Sequence, residues 1–298
     1  MPTLLEYRRR IRSVKSTQQL TRAMKFVAAA KLRRAQEGVF AARPYAREIV
    51  RVMHSAAGRI ETPVHPLLER RAEERVLAMV LTGDRTLCGA FNSNVVKRAV
   101  EFRRQHAGKK LSWIVVGKKG RDQLRKRGFP LLAEYVGISD RIDFRKAKEI
   151  AARVAEIYVR RETDAVYVVY NEFKNVLVQK LRVEKLLPID PEGFTPETKG
   201  EQPHRTDAER AGQVDYIYEQ PPEQVFAGLL TRYLEAEVLR VLLESVAAEQ
   251  AARMTAMEAA TTNAGELIET LTLDMNKIRQ AAITKELIEI VSGAASIA

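Results

Sequence analysis

The longest run without proline in this chain of 298 residues extends from Glu223 to Ala298. Apolar side chains recur along it at helical spacing, at Leu230, Leu234, Val238, Val241, Val246, Leu267, Leu271, Met275, Ile278 and Ala282. Roughly seventy residues, each adding about 1.5 Å, would form a helix of about 110 Å. Helical propensity alone does not stabilise such a length in water, because tertiary packing supplies most of the stability. The sequence therefore predicts a long C-terminal helix that is paired along its length.

Residues 1–60 provide a partner for this helix. Their apolar and small side chains follow the three- and four-residue steps of a heptad, at Leu4, Tyr7, Ile11, Val14, Thr21, Ala28, Leu32, Ala35 and Val39. Gln18 and Lys25 occupy the same grid and interrupt the apolar seam. Pro44 is expected to kink or end the helix, because it lacks a donor N–H and its ring clashes with the preceding turn. We predict an antiparallel pair, and two separate helical bundles are the alternative.

The net charge of +12 is distributed unevenly. Residues 1–60 carry 14 Lys and Arg side chains against 3 acidic ones, whereas residues 221–298 carry 6 against 11. The two segments can therefore attract each other. The surplus positive charge faces water or an acidic partner, of which nucleic acid is one. However, residues 1–60 contain no nucleic-acid-binding motif and only four aromatic side chains on which bases could stack.

Residues 61–220 alternate between strand and helix patterns. Strands are predicted at Val76–Leu81, Leu111–Val116, Leu131–Val136, Ala165–Tyr170 and Val176–Leu187. Helices are predicted at Ser93–Gln105, Lys118–Arg127 and Arg145–Arg161. This alternation is typical of a mostly parallel sheet covered by helices. The predicted fold class is therefore α/β, with a Rossmann-like central domain at 61–220 and a long antiparallel coiled coil of N- and C-terminal helices, 1–60 and 221–298.

Two loops of the central segment are candidates for chemistry. Val116–Gly120 follows a strand and enters a helix, as a phosphate loop does, but it matches neither GxxxxGK[ST] nor GxGxxG. Asp84–Gly89 follows the first strand, where active sites of α/β folds often lie. A Cys88 nucleophile would need a histidine base, and His65 and His106 belong to no motif. A tight turn and a buried structural thiol are favoured, so we expect no catalytic site and no cofactor.

Other protein classes are disfavoured by what the sequence lacks. One cysteine cannot form an internal disulfide or a cysteine-based zinc cluster, and the four histidines show neither HxxxH nor HExxH spacing. No stretch approaches the roughly 18 apolar residues of a membrane span. The first residues are rich in arginine and contain no apolar signal core. We therefore expect no metal centre and no export.

Four segments resemble the gamma subunits of F-type ATP synthases. Residues 21–32 are similar to the N-terminal helix motif of that family, and residues 253–293 closely match its C-terminal signature. Asp84–Gly89 resembles the central-domain motif, with Thr86 where glycine is commoner. Residues 216–219 resemble the segment near the foot of the shaft. The resemblance covers nearly the whole chain.

The resemblance implies a rotor shaft with no catalytic site of its own. In this family the terminal helices form a coiled coil inside a ring of three alpha and three beta subunits. The globular domain lies against the membrane ring of c subunits and the epsilon subunit. Proton flow turns the c ring, and the shaft drives the catalytic beta subunits through successive nucleotide affinities. The implied location is the cytoplasmic face of a bacterial cell membrane, peripheral through the c ring, because no transit peptide precedes the helix.

The resemblance also implies which residues meet these partners. Contact with alpha and beta subunits is implied for Met24, Lys25, Arg279, Gln280, Thr284 and Glu286. An arginine can form a bidentate pair with a carboxylate, and residues four apart share a helix face. Contact with the c ring or epsilon is implied for Tyr216, Tyr218 and Glu219. The alternative function, from a different class, is a basic coiled-coil protein that binds nucleic acid.

Overall fold

The computed structural model describes residues 3–57, 65–138, 142–190 and 221–295. Two long helices begin and end this part of the chain, α1 at Leu4–Ala57 and α5 at Pro222–Ala295. Between them lie β1 (Arg75–Leu81), α2 (Phe91–Gln105), β2 (Lys110–Val116), α3 (Lys118–Lys126), β3 (Leu131–Tyr135), α4 (Phe144–Val159), β4 (Ala165–Phe173) and β5 (Gln179–Leu187), with a 3₁₀ turn at Pro66–Leu68. The chain forms two compact units, Met1–Ala30 with Arg253–Ala298, and Lys31–Ala252, and each long helix contributes to both.

The strands of the second unit form one sheet in the order β3-β2-β1-β4-β5. The first four of these are parallel, and β5 runs antiparallel to β4 at the edge. The chain returns past the central β1 to add β4 on its other side, which is the crossover of a Rossmann-like sheet. The predicted α/β class and mostly parallel sheet are confirmed.

Helices cover both faces of this sheet, which explains why β1 is apolar at every position after Arg75. On one face, α4 and α5 pack with Leu77, Met79 and Leu81. On the other face, α2 and α3 pack with the alternate side chains, Val76, Ala78 and Val80. The two sets follow the two-residue period of a strand.

Helix α1 continues through Pro44 to Ala57, so of the two expected effects of this proline, a kink or an end, the end is wrong. An interior proline costs about 3 kcal/mol or more. The turns that follow it are held by tertiary packing, since Ile49 is 5% and Met53 is 0% exposed in the core shared with α4 and α5. Burying each such side chain contributes roughly 1.5–3 kcal/mol. Packing beyond the proline is therefore sufficient to keep the helix intact.

In the first unit α1 and α5 run antiparallel, as predicted, with Gln18 beside Gly265 and Lys25 beside Glu258. Every position of the α1 heptad grid from Leu4 to Ala28 is buried or half-buried. The facing positions of α5 are also buried or half-buried, at Met257, Thr261, Ala264, Ile268, Leu271, Met275, Ile278 and Ala282.

Leu267 does not belong to this seam, and its predicted place there is wrong. It is 47% exposed, whereas its neighbour Ile268 is half-buried. A heptad alternates steps of four and three residues. Between Ala264 and Leu271 this alternation selects position 268 and leaves position 267 on the outer side.

The predicted start of the last strand at Val176 is also wrong, because β5 begins at Gln179. The carboxamide oxygen of Asn175 accepts hydrogen bonds from the backbone N–H groups of Leu177 and Val178 at 3.0 and 2.8 Å, closing a turn. Leu177 is 82% exposed at its tip. The apolar run 176–178 therefore has the sequence pattern of a strand but forms a turn. The other predicted ends of helices and strands differ from the observed ones by only a few residues.

The domain boundaries at 60/61 and 220/221 stay predictions. The first falls within residues 58–64 and the second at the end of residues 191–220, two stretches that lie outside the described residues.

Candidate functional site

A layer of polar contacts joins the two helices of the first unit where Gln18 and Lys25 interrupt the apolar seam. The hydroxyl oxygens of Thr21 and Thr261 are 2.8 Å apart, and Gln18 Nε2 donates to the carbonyl oxygen of Thr261 at 3.4 Å. Thr21 is buried. Polar contacts between paired helices favour one register, because a slip breaks them. Each threonine hydroxyl also donates to a carbonyl oxygen of its own helix, on Gln18 and Met257, so a slip costs the interhelical contacts alone.

An ion pair lies one turn further along α1. Lys25 Nζ is 2.6 Å from Glu258 Oε1, and 32% and 57% of the two side chains are exposed. Exposed ion pairs contribute about 0.2–1 kcal/mol, so this contact orients Lys25 more than it stabilises the pair. Met24 is half-buried. Both residues predicted to contact partners thus lie in the helix pair, and Lys25 already has a carboxylate partner within the chain.

Helix α5 extends beyond the helix with which it pairs. Because Gln18 lies beside Gly265, the start of α1 at Leu4 lies opposite the turn around Ile278. Ala282 is the last half-buried residue of the described part of α5, and residues 283–292 are all exposed. Within the described residues about three and a half turns therefore continue without a paired helix. We refer to residues 283–295 as the single-helix end.

The single-helix end exposes large apolar side chains. Five of them are 50–67% exposed: Ile283, Leu287, Ile288, Ile290 and Val291. Several exposed apolar side chains on one short helical segment are typical of protein interaction sites. The sequence reasoning missed these residues, although a signal was present, since apolar residues continue past the last seam position.

The four predicted C-terminal contact residues lie in or next to this end. Arg279, Gln280, Thr284 and Glu286 are all exposed. The Thr284 hydroxyl donates to the carbonyl oxygen of Gln280 at 3.0 Å, so these two residues share one face, as predicted. Within the described ranges no carboxylate pairs with Arg279, and its guanidinium is available for a bidentate pair.

The segment with Tyr216, Tyr218 and Glu219 lies outside the described residues. Its predicted contact with the c ring or epsilon stays a prediction. In the sequence it immediately precedes α5, whereas Arg279 and Gln280 lie near the other end of the same helix.

The two candidate loops of the second unit bind each other. The first three backbone N–H groups of α3 donate to oxygen atoms of the loop after β1, on Asp84, Gly83 and Thr82. These donors are therefore engaged and do not form a phosphate site. Cβ atoms at Gly117 and Gly120 would lie 2.1 and 2.5 Å from atoms of Thr82. The glycines serve this close approach, which supports the tight-turn interpretation of Val116–Gly120.

Cys88 has the surroundings of a structural thiol. It is 2% exposed and packs with Phe91 and with Ala248 of α5. Asn92 Nδ2 donates to its sulfur at 3.2 Å. His106 follows α2, whose length of about 22 Å separates the imidazole from the thiol. His65 accepts a hydrogen bond from the backbone N–H of Leu67 and caps the 3₁₀ turn. Neither histidine is placed to act as a base for Cys88.

Comparison with known proteins places the chain in a family. A sequence model described as ATP synthase matches residues 3–297. The ATP synthase gamma chain of Chlorobium phaeobacteroides is 50% identical over 300 residues, which cover 99% of this chain and 98% of the relative. The chain belongs to the ATP synthase gamma-chain family. The gamma chain of Pelotomaculum thermopropionicum is 48% identical and matches over 100% of both chains.

Solved structures share the fold of this gamma-chain family member. A chain in the central stalk and c-ring structure of the Tetrahymena thermophila mitochondrial ATP synthase has a TM-score of 0.57 and 26% identity, covering 81% of this chain and 99% of that one. A chain of the Euglena gracilis mitochondrial ATP synthase has a TM-score of 0.65 and 22% identity, covering 99% and 94%, and it shows the fold alone. The resemblance inferred from the sequence is confirmed, and the nucleic-acid-binding alternative is not supported.

Two further properties apply to the described residues of this gamma-family chain. None of their helices combines the length and hydropathy that crossing a bilayer requires. Their His, Cys, Asp and Glu side chains form no group of three or more that could hold a metal ion. The partner contacts of the individual shaft residues stay predictions.

Proposed function

We propose that this chain is the central rotor shaft of a proton-translocating F-type ATP synthase. It couples rotation of the c ring to conformational change in the catalytic beta subunits. The observation that carries the proposal is the helix pair, whose register is fixed by polar contacts and whose single-helix end exposes apolar and charged side chains. Such a rod suits the axis of a subunit ring, where it transmits rotation and presents different faces to each neighbour.

We infer that the exposed residues at the end of α5 hold loops of the alpha and beta subunits. Arg279 supplies a planar guanidinium for a carboxylate, while Gln280 and Thr284 supply polar groups on a shared face. Glu286 adds a carboxylate one turn further on. The apolar side chains of the single-helix end provide a contact with little angular preference, because the hydrophobic effect is non-directional.

Met24 and Lys25 are proposed to meet the beta subunit at particular rotary angles. Lys25 already pairs with Glu258, at an exposure where ion pairs are weak. A carboxylate of a passing beta subunit can replace Glu258 with little change in free energy. Such an exchange allows the contact to form and break as the shaft turns.

The chain is proposed to contain no catalytic site and to act at the cytoplasmic face of a bacterial cell membrane. Support for the first point comes from the central loops, whose backbone donors and thiol are engaged within the chain. The peripheral location follows from contact with the c ring and epsilon, which we assign to Tyr216, Tyr218 and Glu219. ATP chemistry then belongs to the beta subunits.

The test is reconstitution of ATPase activity from alpha and beta subunits with and without the full chain. We expect the chain to be recovered in the complex and to raise turnover severalfold. Unchanged turnover without the chain would contradict the proposal. Recovery with DNA or RNA that is lost as salt rises would favour the nucleic-acid alternative instead.

A further inference from the structure

One arginine of α5 lies among three carboxylates where this helix packs against the sheet of the second unit. Arg240 Nη2 is 2.7 Å from Glu237 Oε2 and 2.9 Å from Glu184 Oε1. Its Nη1 is 3.3 Å from Glu244 Oε1 and donates to the Tyr170 hydroxyl at 3.2 Å. The Tyr170 hydroxyl in turn donates to Glu184 at 2.8 Å. These five residues, which we call the edge cluster, connect α5 to β4 and β5.

Negative charges outnumber positive ones in the edge cluster. A single guanidinium faces three carboxylates, and its contacts shorter than 3 Å are with Glu237 and Glu184. Lys174 and Arg182 lie at the same edge of the sheet, but they pair with Glu172. One of the three carboxylates therefore lacks a full counter-charge.

Glu244 is the carboxylate that lacks it. Its side chain is 16% exposed, against 19% for Glu237 and 41% for Glu184, and its contact with Arg240 is the longest of the three. Its second oxygen, Oε2, is buried and has no hydrogen-bond partner in the described part of the chain. Burying an ionised carboxylate without full compensation is costly, and protonation removes the charge.

The charges around Glu244 also oppose its ionisation. Burial raises the pKa of Glu244, and the carboxylates of Glu172 and Glu184 act in the same direction. Arg240 lowers this pKa but does not cancel the increase. In the described part of the chain, the charged groups that act on Glu244 thus come from α5, β4 and β5.

The remaining neighbours do not take up the proton instead. Tyr170 and Tyr233 lie beside the same charges and stay neutral, because burial raises the pKa of each phenol. Helix α1 meets α5 on a different side, where Gly38 lies beside Leu243. The titration of the edge cluster is therefore assigned to Glu244.

We propose that Glu244 carries a proton in the folded chain and that this proton holds α5 against the edge of the sheet, so that the contact loosens as the pH rises. The stability that the proton contributes is complete below the ordinary glutamate pKa of 4.5. It is lost as the pH rises through the higher pKa of the folded chain. Once Glu244 is ionised, three carboxylates repel one another around Arg240, and moving the Glu244 side chain into water relieves the repulsion.

Glu244→Gln tests this proposal, because a carboxamide has nearly the same shape and is neutral at every pH. Urea midpoints of the full-length chain and of the variant are measured at pH 4 and pH 8. We expect the two midpoints to match at pH 4. At pH 8 the midpoint of the variant should be higher by about 0.5 M, which corresponds to a roughly tenfold change in the unfolding equilibrium.

Glu237→Gln is the matched control, because it lies on the same helix beside the same arginine. Its carboxylate is 2.7 Å from Arg240 Nη2, so this variant should have a lower midpoint at pH 8. Hydrogen exchange followed by mass spectrometry locates the change. After correction for intrinsic exchange rates, the protection of residues 233–250 should fall between pH 6 and pH 8 in the original chain and stay constant in Glu244→Gln.

Three results would overturn the proposal. A midpoint of Glu244→Gln below that of the original chain at pH 8 would make Glu244 an ionised partner of Arg240, and failure of this variant to fold would count in the same way. A difference between the two chains that is equal at pH 4 and pH 8 would exclude a bound proton. Equal protection of residues 233–250 at pH 6 and pH 8 in the original chain would show that the contact does not loosen.

Discussion

At the residue scale, Gly117 and Gly128 are two glycines with an unusual backbone conformation in different surroundings. Both have positive φ, +98° and +67°, a conformation that side chains with a Cβ rarely adopt. A Cβ on Gly117 would lie 2.1 Å from the carbonyl oxygen of Thr82, whereas nothing lies within 4 Å of one on Gly128. The two positions therefore separate backbone strain from steric overlap.

Gly117→Ala should destabilise the chain more than Gly128→Ala. A positive φ costs an L-residue roughly 1–2 kcal/mol, and the ψ of 137° at Gly117 lies outside the left-handed helical region, so the backbone strain there is at least as large. Only Gly117→Ala also forces the loop after β1 away from α3, at a further cost of roughly 1–3 kcal/mol. Urea unfolding followed by Trp113 emission measures both changes. Equal losses of stability would show that the approach of the two loops carries no strain.

Glu73 is another residue whose surroundings determine its chemistry. Its carboxylate oxygens lie 2.7 Å from Lys185 Nζ and 2.9 Å from Lys109 Nζ, and the Tyr167 hydroxyl donates to it at 3.0 Å. Burial alone would raise the pKa of Glu73, but these hydrogen bonds lower it from 4.5 to about 2. Because the pKa is lower in the folded state, the ionised carboxylate contributes its full stability above about pH 4.5 and loses it as pH falls towards 2.

Glu73→Gln should therefore reduce the free energy of unfolding at pH 7 and reduce it much less at pH 3. The acid-induced loss of stability should be shallower in the variant than in the original chain. Urea midpoints at the two pH values provide the comparison. Glu101→Gln, at an exposed ion pair with Arg98, is the control. A difference between Glu73→Gln and the original chain that does not change with pH would rule out this role for Glu73.

At the element scale, the sequence predicts the helices and strands but not the features that depend on distant residues. The heptad grid of α1 is readable because all its positions lie on one face of one helix. The local sequence does not show whether Leu267 or Ile268 lies in the seam, because both are apolar and only the register with α1 selects one. The continuation of the helix through Pro44 could not be predicted locally either. The side chains that keep the helix intact, Ile49 and Met53, contact elements far away in the sequence.

Leu271→Asp should lower the melting temperature, whereas Leu267→Asp should not. Leu271 is half-buried in the seam, so a carboxylate there is partly desolvated beside α1, at a cost of roughly 2 kcal/mol. Leu267 lies one turn away and is 47% exposed, so its change should stay within about 0.5 kcal/mol. Thermal unfolding by circular dichroism at 222 nm, roughly the helix band, follows both. A normal melting temperature for Leu271→Asp would remove this residue from the seam.

The candidate site likewise combines features that the sequence predicts with features that depend on distant residues. The shared face of Gln280 and Thr284 follows from their spacing alone and is confirmed. The apolar residues of the single-helix end are visible in the sequence, but the point where this end begins could not be predicted, because it depends on where α1 begins opposite α5.

At the scale of the whole molecule, the proposed shaft acts through contacts that differ between rotary angles. An interaction present at only one angle lowers one state of the cycle and so changes the barriers on either side of it. Arg279 and Gln280 are suited to such a role because they are exposed at the end of α5 and are not needed for its pairing with α1.

Arg279→Ala combined with Gln280→Ala should strongly reduce ATPase turnover of the reconstituted complex without preventing assembly. Losing a charge-assisted contact of roughly 1.5–3 kcal/mol changes a step rate by about ten- to a hundredfold. Turnover and subunit stoichiometry are measured on the same preparation. Arg98→Ala, at a half-buried arginine of α2 that pairs with Glu101, should leave turnover unchanged. Normal turnover in a fully assembled double variant would mean that the two side chains only face solvent.

The polar layer around Thr21 also limits how far α1 and α5 can slide along each other when the shaft transmits force. A slip of one heptad, about 10 Å, would keep most apolar side chains in apolar surroundings. It would, however, move Thr21 from Thr261 to Met254 or Ile268 and take Lys25 away from Glu258. The apolar side chains tolerate such a shift, whereas the contacts of Thr21 with Thr261 and of Lys25 with Glu258 are lost. These contacts therefore oppose sliding of one helix along the other, while the helix pair can still rotate as a unit.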